Sequence, residues 1–130
     1  MTNKIQVLIA DNQILARQAL RSLLEQSDGI EVIGEALNGV DAVIKSQMLS
    51  PDVILIEIGM LGYSGIDAIA EIKQLNPHVR VLVLTNCTED HYVLSAIKAG
   101  ASGYLLKDLP IPVLLNAVYE VARGKYLFDQ

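Results

Sequence analysis

Four runs of mostly apolar residues in this sequence end at, or just before, side chains that can do chemistry. Together these positions supply two carboxylates, an ammonium group, a hydroxyl and two amides. The residues are Asp11, Asn12, Glu57, Thr85, Asn86 and Lys107. Such a set suits a phosphoryl group or a hard cation, because lysine serves as a point charge for phosphate oxygens and magnesium prefers one or two carboxylates plus waters.

The runs before these residues predict strands that are buried on both faces of a parallel sheet. Residues 53–56, Val-Ile-Leu-Ile, show the pattern most clearly because no polar residue interrupts them. In open parallel α/β sheets the working crevice lies outside the carboxyl ends of the strands. We therefore expect the six residues to converge on one crevice. Taken alone, Glu57 could equally be a solvated acid at a strand end.

Helical patterns alternate with the strand patterns along the whole chain. The predicted strands cover residues 5–10, 31–36, 53–56, 80–85 and 103–106. The predicted helices cover residues 14–26, 39–48, 65–75, 89–100 and 112–123, with Asn38, Ser64 and Thr88 as N-caps and Leu15 on the apolar stripe of the first helix. Five strands alternating with five helices indicate an α/β fold with a parallel sheet.

Composition narrows the class of protein. The chain has 130 residues, the size of one domain, and its 52% hydrophobic content comes in runs too short to span a membrane. Cys87 is the only cysteine, so no internal disulfide can form and the cytoplasm is the expected location. A net charge of −5 without a basic run argues against direct contact with nucleic acid by this segment.

Five short motifs together carry a family resemblance. They are VLIADNQ at 7–13, GEALNG at 34–39, LVLT at 82–85, AGA at 99–101 and GYLLKD at 103–108. This set resembles the receiver domains of bacterial two-component response regulators, most closely the NarL/FixJ (LuxR-type) transcription factors. The resemblance covers essentially the whole chain. It implies a flavodoxin-like (βα)5 doubly wound parallel sheet with strand order 2-1-3-4-5.

The resemblance also implies roles for individual residues. In the family, a histidine kinase passes a phosphoryl group to an aspartate after the third strand, and magnesium is held by that aspartate and an acid after the first strand. Lys107 and Thr85 match the residues that contact the phosphoryl oxygens, with Asn86 beside them. Tyr104 matches an aromatic residue that changes rotamer together with the threonine.

Two positions depart from the family pattern. Glu57 stands where the family has its acceptor aspartate, and Asn12 stands where it has a second acid. The extra methylene of glutamate displaces the carboxylate, and a misplacement of about 1 Å can cost on the order of a hundredfold in rate. The family site carries three carboxylates and one lysine, whereas Asp11, Glu57 and Lys107 sum to −1. We therefore expect no cofactor beyond weak magnesium binding at a residual site of Asp11, Asn12 and Glu57.

These departures favour a pseudo-receiver, a signalling and interaction module that works without phosphorylation and is not an enzyme. Glu57 would imitate a phosphorylated aspartate, and a fixed Glu57–Lys107 pair would replace the cation. The alternative is a receiver that accepts phosphate in a histidine kinase phosphorelay, or an engineered variant with Glu57 in place of aspartate. A nucleotide binder is disfavoured because residues 11–14 lack a glycine-rich phosphate loop.

The resemblance extends to organisation and partners. We expect residues 1–124 to form the receiver and residues 125–130 to begin a linker toward a helix-turn-helix DNA-binding domain. The expected partners are that effector domain, on the same or a separate chain, a histidine kinase, and a second copy in a homodimer. No membrane contact is expected.

Several of these residues also have a purely structural interpretation. Asn12 would cap the first helix, Tyr104 would be core packing, and Lys107 would form a solvated turn pair with Asp108. Leu61 stands where the family has a proline, which predicts a less rigid loop.

Overall fold

The computed structural model describes residues 3–60 and 62–128, in which six parallel strands and five helices form one α/β unit. The strands are β1 (Ile5–Ala10), β2 (Ile30–Ala36), β3 (Val53–Ile56), β4 (Arg80–Thr85), β5 (Gly103–Leu106) and β6 (Leu127–Phe128). The helices are α1 (Ile14–Glu25), α2 (Gly39–Leu49), α3 (Gly65–Leu75), α4 (Asp90–Ala99) and α5 (Ile111–Ala122). The sheet order is β2-β1-β3-β4-β5-β6. No described helix is long and apolar enough to cross a bilayer.

The central strands β1, β3 and β4 are largely buried on both faces because alternate residues enter two different cores. One core packs the sheet against α2, α3 and α4, and the other packs it against α1 and α5. In β3, Ile54 and Ile56 belong to the first core, whereas Val53 and Leu55 belong to the second. This division explains the uninterrupted apolar runs and confirms the predicted doubly wound fold.

One strand was absent from the sequence-based count. Leu127 and Phe128 pair with Gly103 and Tyr104 of β5, which extends the predicted order 2-1-3-4-5 by a sixth strand. These two residues fall inside the segment 125–130 that the sequence assigns to a linker. Residues 129 and 130 of that segment lie outside the described residues, and so does Leu61.

The N-cap residues of the helices agree with the sequence-based predictions at two positions and differ from them at two. The side chains of Asn38 and Ser64 accept hydrogen bonds from the backbone N–H groups of Asp41 and Asp67, at 2.8 and 3.2 Å. The prediction that Thr88 is the N-cap of the fourth helix is wrong, because the N-cap of α4 is Glu89. Asn12 does not cap α1, whose N-cap is Gln13.

The inward face of α1 is also different from the predicted stripe. Leu15 is 82% exposed, whereas the charged Arg17 is buried. Apolar periodicity alone placed Leu15 inside, but the guanidinium of Arg17 occupies the inner position because it finds polar partners there, which are described below.

Candidate functional site

Strand register brings the ends of β1, β3, β4 and β5 to one edge of the sheet. The N–H of Glu57 donates to the carbonyl of Ala10 at 3.0 Å, so the residue after β3 lies beside the end of β1. The N–H of Lys107 donates to the carbonyl of Thr85 at 2.9 Å, which places the residue after β5 beside the end of β4. The chemistry-bearing side chains therefore start from adjacent backbone positions.

The carboxylate of Glu57 is held from two sides. Its Oε2 accepts hydrogen bonds from the hydroxyl of Thr85 and from the N–H of Gly59, the latter at 2.9 Å. Its Oε1 lies 2.8 Å from Nζ of Lys107. The residue is only 9% exposed. The Glu57–Lys107 pair expected from the sequence is thus present, and Glu57 is not an idle solvated acid.

Lys107 bridges the two carboxylates of the crevice. Its Nζ lies 2.8 Å from Oδ2 of Asp11 as well as 2.8 Å from Oε1 of Glu57. Burial of the ammonium group lowers the pKa of Lys107, but the hydrogen bonds with Asp11 and then Glu57 raise it by more. The pKa therefore lies above the usual 10.5, and the ammonium stays charged.

Asp11 is fixed by groups from three directions. It is 2% exposed, its Oδ1 accepts from the N–H of Gln13 at 2.9 Å, and its backbone carbonyl accepts from Nη1 of Arg17 at 2.9 Å. Nε of Arg17 in turn donates to Glu35 at 2.8 Å. Sequence reasoning missed Arg17. The available signal was an arginine one turn into a helix that follows a strand-end acid.

The two amides predicted for the site lie at its rim. Asn12 and Asn86 are both exposed and take no part in the hydrogen bonds that join the carboxylates to Lys107. Each directly follows a residue that points into the crevice. Of the six strand-end residues, the structure therefore brings together Asp11, Glu57, Thr85 and Lys107.

Tyr104 is buried and connected to the same site through the loop after β4. Its hydroxyl donates to the carbonyl of Cys87 at 2.7 Å, and the N–H of Cys87 donates to the hydroxyl oxygen of Thr85 at 3.3 Å. Burial, followed by the electrostatic influence of Cys87 and Glu57, raises the pKa of Tyr104 to about 12. One short loop thus contacts both the threonine and the aromatic residue.

The raised pKa of Tyr104 predicts a loss of stability at alkaline pH. The unfolded chain ionises this phenol near its ordinary value of 10.0, and the folded chain near 12, so the stabilising difference is complete below pH 10 and is lost as the pH rises toward 12. We expect Tyr104→Phe to flatten the fall in unfolding free energy over this range in urea titrations. Tyr126→Phe, at an exposed tyrosine, is the control. Equal slopes in all three proteins would contradict the prediction.

The residues present are a poor fit to a magnesium ion held as in the family. Within residues 3–60 and 62–128, no group of three or more His, Cys, Asp or Glu side chains could hold a metal. All four carboxylate oxygens of Asp11 and Glu57 already accept hydrogen bonds or pair with Lys107. A cation would therefore compete with the ammonium group for the same oxygens.

The fold and this site can be compared with known proteins. The signal receiver domain of the response regulator NarL from Mycobacterium tuberculosis superimposes with a TM-score of 0.91 at 31% identity, over 95% of this chain and 99% of that one. The sequence model of the response regulator receiver domain matches residues 7–119. The chain belongs to the response regulator receiver family.

Curated relatives of this receiver domain are transcriptional regulators. The uncharacterized transcriptional regulatory protein YxjL of Bacillus subtilis is 37% identical over 97% of this chain and 58% of its own length. The transcriptional regulatory protein DegU of Brevibacillus brevis is 38% identical over 94% of this chain and 52% of its own length. The chain thus spans little more than half the length of these relatives.

Proposed function

We propose that this receiver domain is a signalling and interaction module that does not accept a phosphoryl group by the family's usual route. The observation that carries the proposal is the state of the Glu57 carboxylate. Thr85, Gly59 and Lys107 all contact it, so the groups that would receive phosphoryl oxygens are already engaged. An acceptor carboxylate in use as an internal ligand is not free for in-line attack.

The second departure supports the same proposal. Asn12 is uncharged and exposed, so it adds no negative charge to the crevice. Asp11 and Glu57 carry two negative charges and Lys107 carries one positive charge, so the net charge of the site is −1. Magnesium binding is therefore expected to be weak, and phosphoryl transfer loses the cation that would neutralise the developing charge.

We further propose that Glu57 biases the domain toward its active-like state. A phosphorylated aspartate would present oxygens to Thr85 and Lys107, and Glu57 presents its carboxylate oxygens to the same two side chains. Tyr104 is buried, with its hydroxyl on the loop that Thr85 also contacts. Thr85, Lys107 and Tyr104 are the residues to which the family resemblance assigns phosphoryl contact and the linked change of rotamer.

The alternative is a working phosphoacceptor, natural or engineered. Glutamate is chemically able to form an acyl phosphate, and Lys107 and Thr85 are both in place to contact it. Under this alternative, Glu57 releases Thr85 and Lys107 when the phosphodonor and magnesium bind.

Treatment with phosphoramidate, with and without magnesium, distinguishes the two. In the step at issue a carboxylate oxygen forms a bond to phosphorus while the P–N bond breaks and ammonia leaves. We expect no added phosphoryl mass on the unaltered chain, partial modification of Glu57→Asp, and magnesium-dependent modification of Glu57→Asp/Asn12→Asp. Glu57→Gln is the control for reaction at other residues. Stoichiometric, magnesium-dependent modification of the unaltered chain that Glu57→Gln abolishes would establish the alternative.

The greater length of the curated relatives bears on what this receiver domain regulates. We propose that the receiver regulates a DNA-binding effector domain in the cytoplasm, because the curated relatives are transcriptional regulatory proteins of roughly twice the matched length. Any contact with DNA would come from that domain, since this segment carries a net charge of −5. A histidine kinase remains a proposed partner only under the phosphoacceptor alternative.

A further inference from the structure

Arg17 is a buried charged residue at the end of the first turn of α1. It is only 8% exposed, and burial of an arginine is costly unless hydrogen bonds and an opposite charge compensate for the lost water. Within the described part of the chain, its guanidinium contacts Asp11 and Glu35 and makes no hydrogen bond with Lys107 or Glu57. Arg17 therefore contacts the crevice only through Asp11.

The two contacts of Arg17 use different nitrogens of one rigid group. Nε donates to Oε1 of Glu35 at 2.8 Å, and Nη1 donates to the backbone carbonyl of Asp11 at 2.9 Å. Because the guanidinium is planar, the position of Glu35 sets the direction from which Nη1 meets that carbonyl. The N–H of Asp11 donates to the carbonyl of Ala36 at 3.1 Å. The backbone of Asp11 is thus held at both its N–H and its carbonyl.

The backbone of Asp11 decides where its carboxylate points. Oδ1 accepts a hydrogen bond from the N–H of Gln13 at 2.9 Å, a local turn that requires the chain to bend directly after the carbonyl that Arg17 holds. Since Oδ1 is occupied in this turn, Oδ2 is the oxygen that faces Nζ of Lys107, at 2.8 Å. Nζ of Lys107 also lies 2.8 Å from Oε1 of Glu57. A continuous set of contacts therefore joins Arg17 to Glu57.

Glu35 is itself fixed well enough to anchor Arg17. Its Oε2 accepts a hydrogen bond from Nη1 of Arg21 at 2.7 Å, and its backbone carbonyl accepts one from Nζ of Lys45 on α2. The hydrogen bond from Arg21 lowers the pKa of Glu35, burial opposes this change, and the hydrogen bond from Arg17 adds to the lowering. The pKa of Glu35 therefore lies below its usual 4.5, and the anchor stays ionised at neutral pH.

We propose that Arg17 is a positioning residue that, anchored by Glu35, fixes the direction of the Asp11 carboxylate. That carboxylate then keeps the ammonium group of Lys107 against Glu57. The inference rests on the proposed function, in which Lys107 stays engaged with Glu57. Without Arg17, the turn after Asp11 loses its restraint and Oδ2 moves away from Lys107.

Acetylation of Lys107 measures this role, because only the neutral amine of a lysine is a nucleophile. The folded chain is treated with trace acetic anhydride at pH 8, and peptide mass spectrometry gives the ratio of labelling at Lys107 to labelling at the exposed Lys98. Burial lowers the pKa of Lys107, and the hydrogen bond with Asp11 does most to raise it. We therefore expect Arg17→Met to raise the ratio by about threefold or more. If Arg17 acted only through its own charge, its removal would lower the ratio, since a nearby cation favours the neutral amine.

Arg21→Met is the matched control. Arg21 holds the same carboxylate of Glu35 from the same helix but, within the described residues, makes no hydrogen bond with Asp11. Ile72→Val, a substitution of a buried residue on α3, controls for general loosening of the fold. Both controls should leave the labelling ratio unchanged. An unchanged or lower ratio in Arg17→Met, or an equal rise in either control, would refute the proposal.

Arg17→Lys keeps the experiment decisive if circular dichroism shows that Arg17→Met does not fold. Lysine retains the positive charge, but its ammonium group cannot reproduce the rigid fork, so the ratio should again rise. An unchanged ratio in folded Arg17→Lys would overturn the positioning role. The phosphoramidate treatment reports separately on the proposed function, because it measures phosphoryl transfer to Glu57, whereas the labelling of Lys107 measures the role of Arg17.

Discussion

Replacing Lys107 with methionine is expected to lower the free energy of unfolding by about 3 kcal/mol. Methionine keeps most of the length of the side chain but leaves Asp11 and Glu57, both buried, without their shared counter-charge. Removing one partner of a buried ion pair is costly because the remaining charge is neither solvated nor paired. The measurement is urea unfolding at pH 7 by circular dichroism.

Two comparisons identify the cause of that loss. Lys98→Met removes an exposed lysine in the last turn of α4 and should cost less than about 1 kcal/mol. Adding Asp11→Asn and Glu57→Gln to Lys107→Met should recover more than half of the loss, since no buried negative charge then remains. A Lys107→Met protein as stable as Lys98→Met would contradict the buried-pair argument.

Gly65→Ala is expected to be similarly destabilising, by about 3 kcal/mol, although alanine is the better helix former. Gly65 begins α3 where the helix crosses the chain leaving β3. A Cβ there would lie 2.5 Å from Cα of Ile58 and 2.6 Å from the carbonyl oxygen of Glu57. Both are backbone atoms, so the clash can be relieved only by moving the start of α3 and the connection after β3 apart.

The matched control is Gly59→Ala in the same connection. A Cβ at Gly59 would have as its nearest neighbour Oε2 of Glu57 at 3.3 Å, which is a longer approach and one to a side-chain atom rather than to the backbone. We expect a loss well under half of that for Gly65→Ala in the same urea titration. If Gly65→Ala were neutral, or stabilising as helix propensity alone predicts, the close approach of α3 to β3 would be wrong.

The sequence predicted that the strand-end residues would converge, but it did not predict correctly which of them contact one another in the site. Parallel strands end at one edge of a sheet, so Asp11, Glu57 and Lys107 could be expected to meet. The next residue along an extended chain points the opposite way, which carries Asn12 and Asn86 to the exposed rim. A sequence motif contains both adjacent residues but does not show which of the two side chains points into the crevice.

Non-local contacts account for the other differences. Arg17 is buried because Glu35 and the carbonyl of Asp11 satisfy its guanidinium, and both partners lie outside α1, so the helical pattern of α1 does not show them. Strand β6 has two residues, too few to show any periodicity. It forms because β5 offers an open edge.

The sequence by itself determined the α/β class and the receiver family, because these depend on residue types, short motifs and local periods. Only the tertiary structure decided that the Glu57 carboxylate reaches both Thr85 and Lys107, and that Arg17 rather than Leu15 is buried on α1. These features depend on the distances between side chains from different strands and helices. Those distances are set by register and packing, which no single stretch of sequence contains.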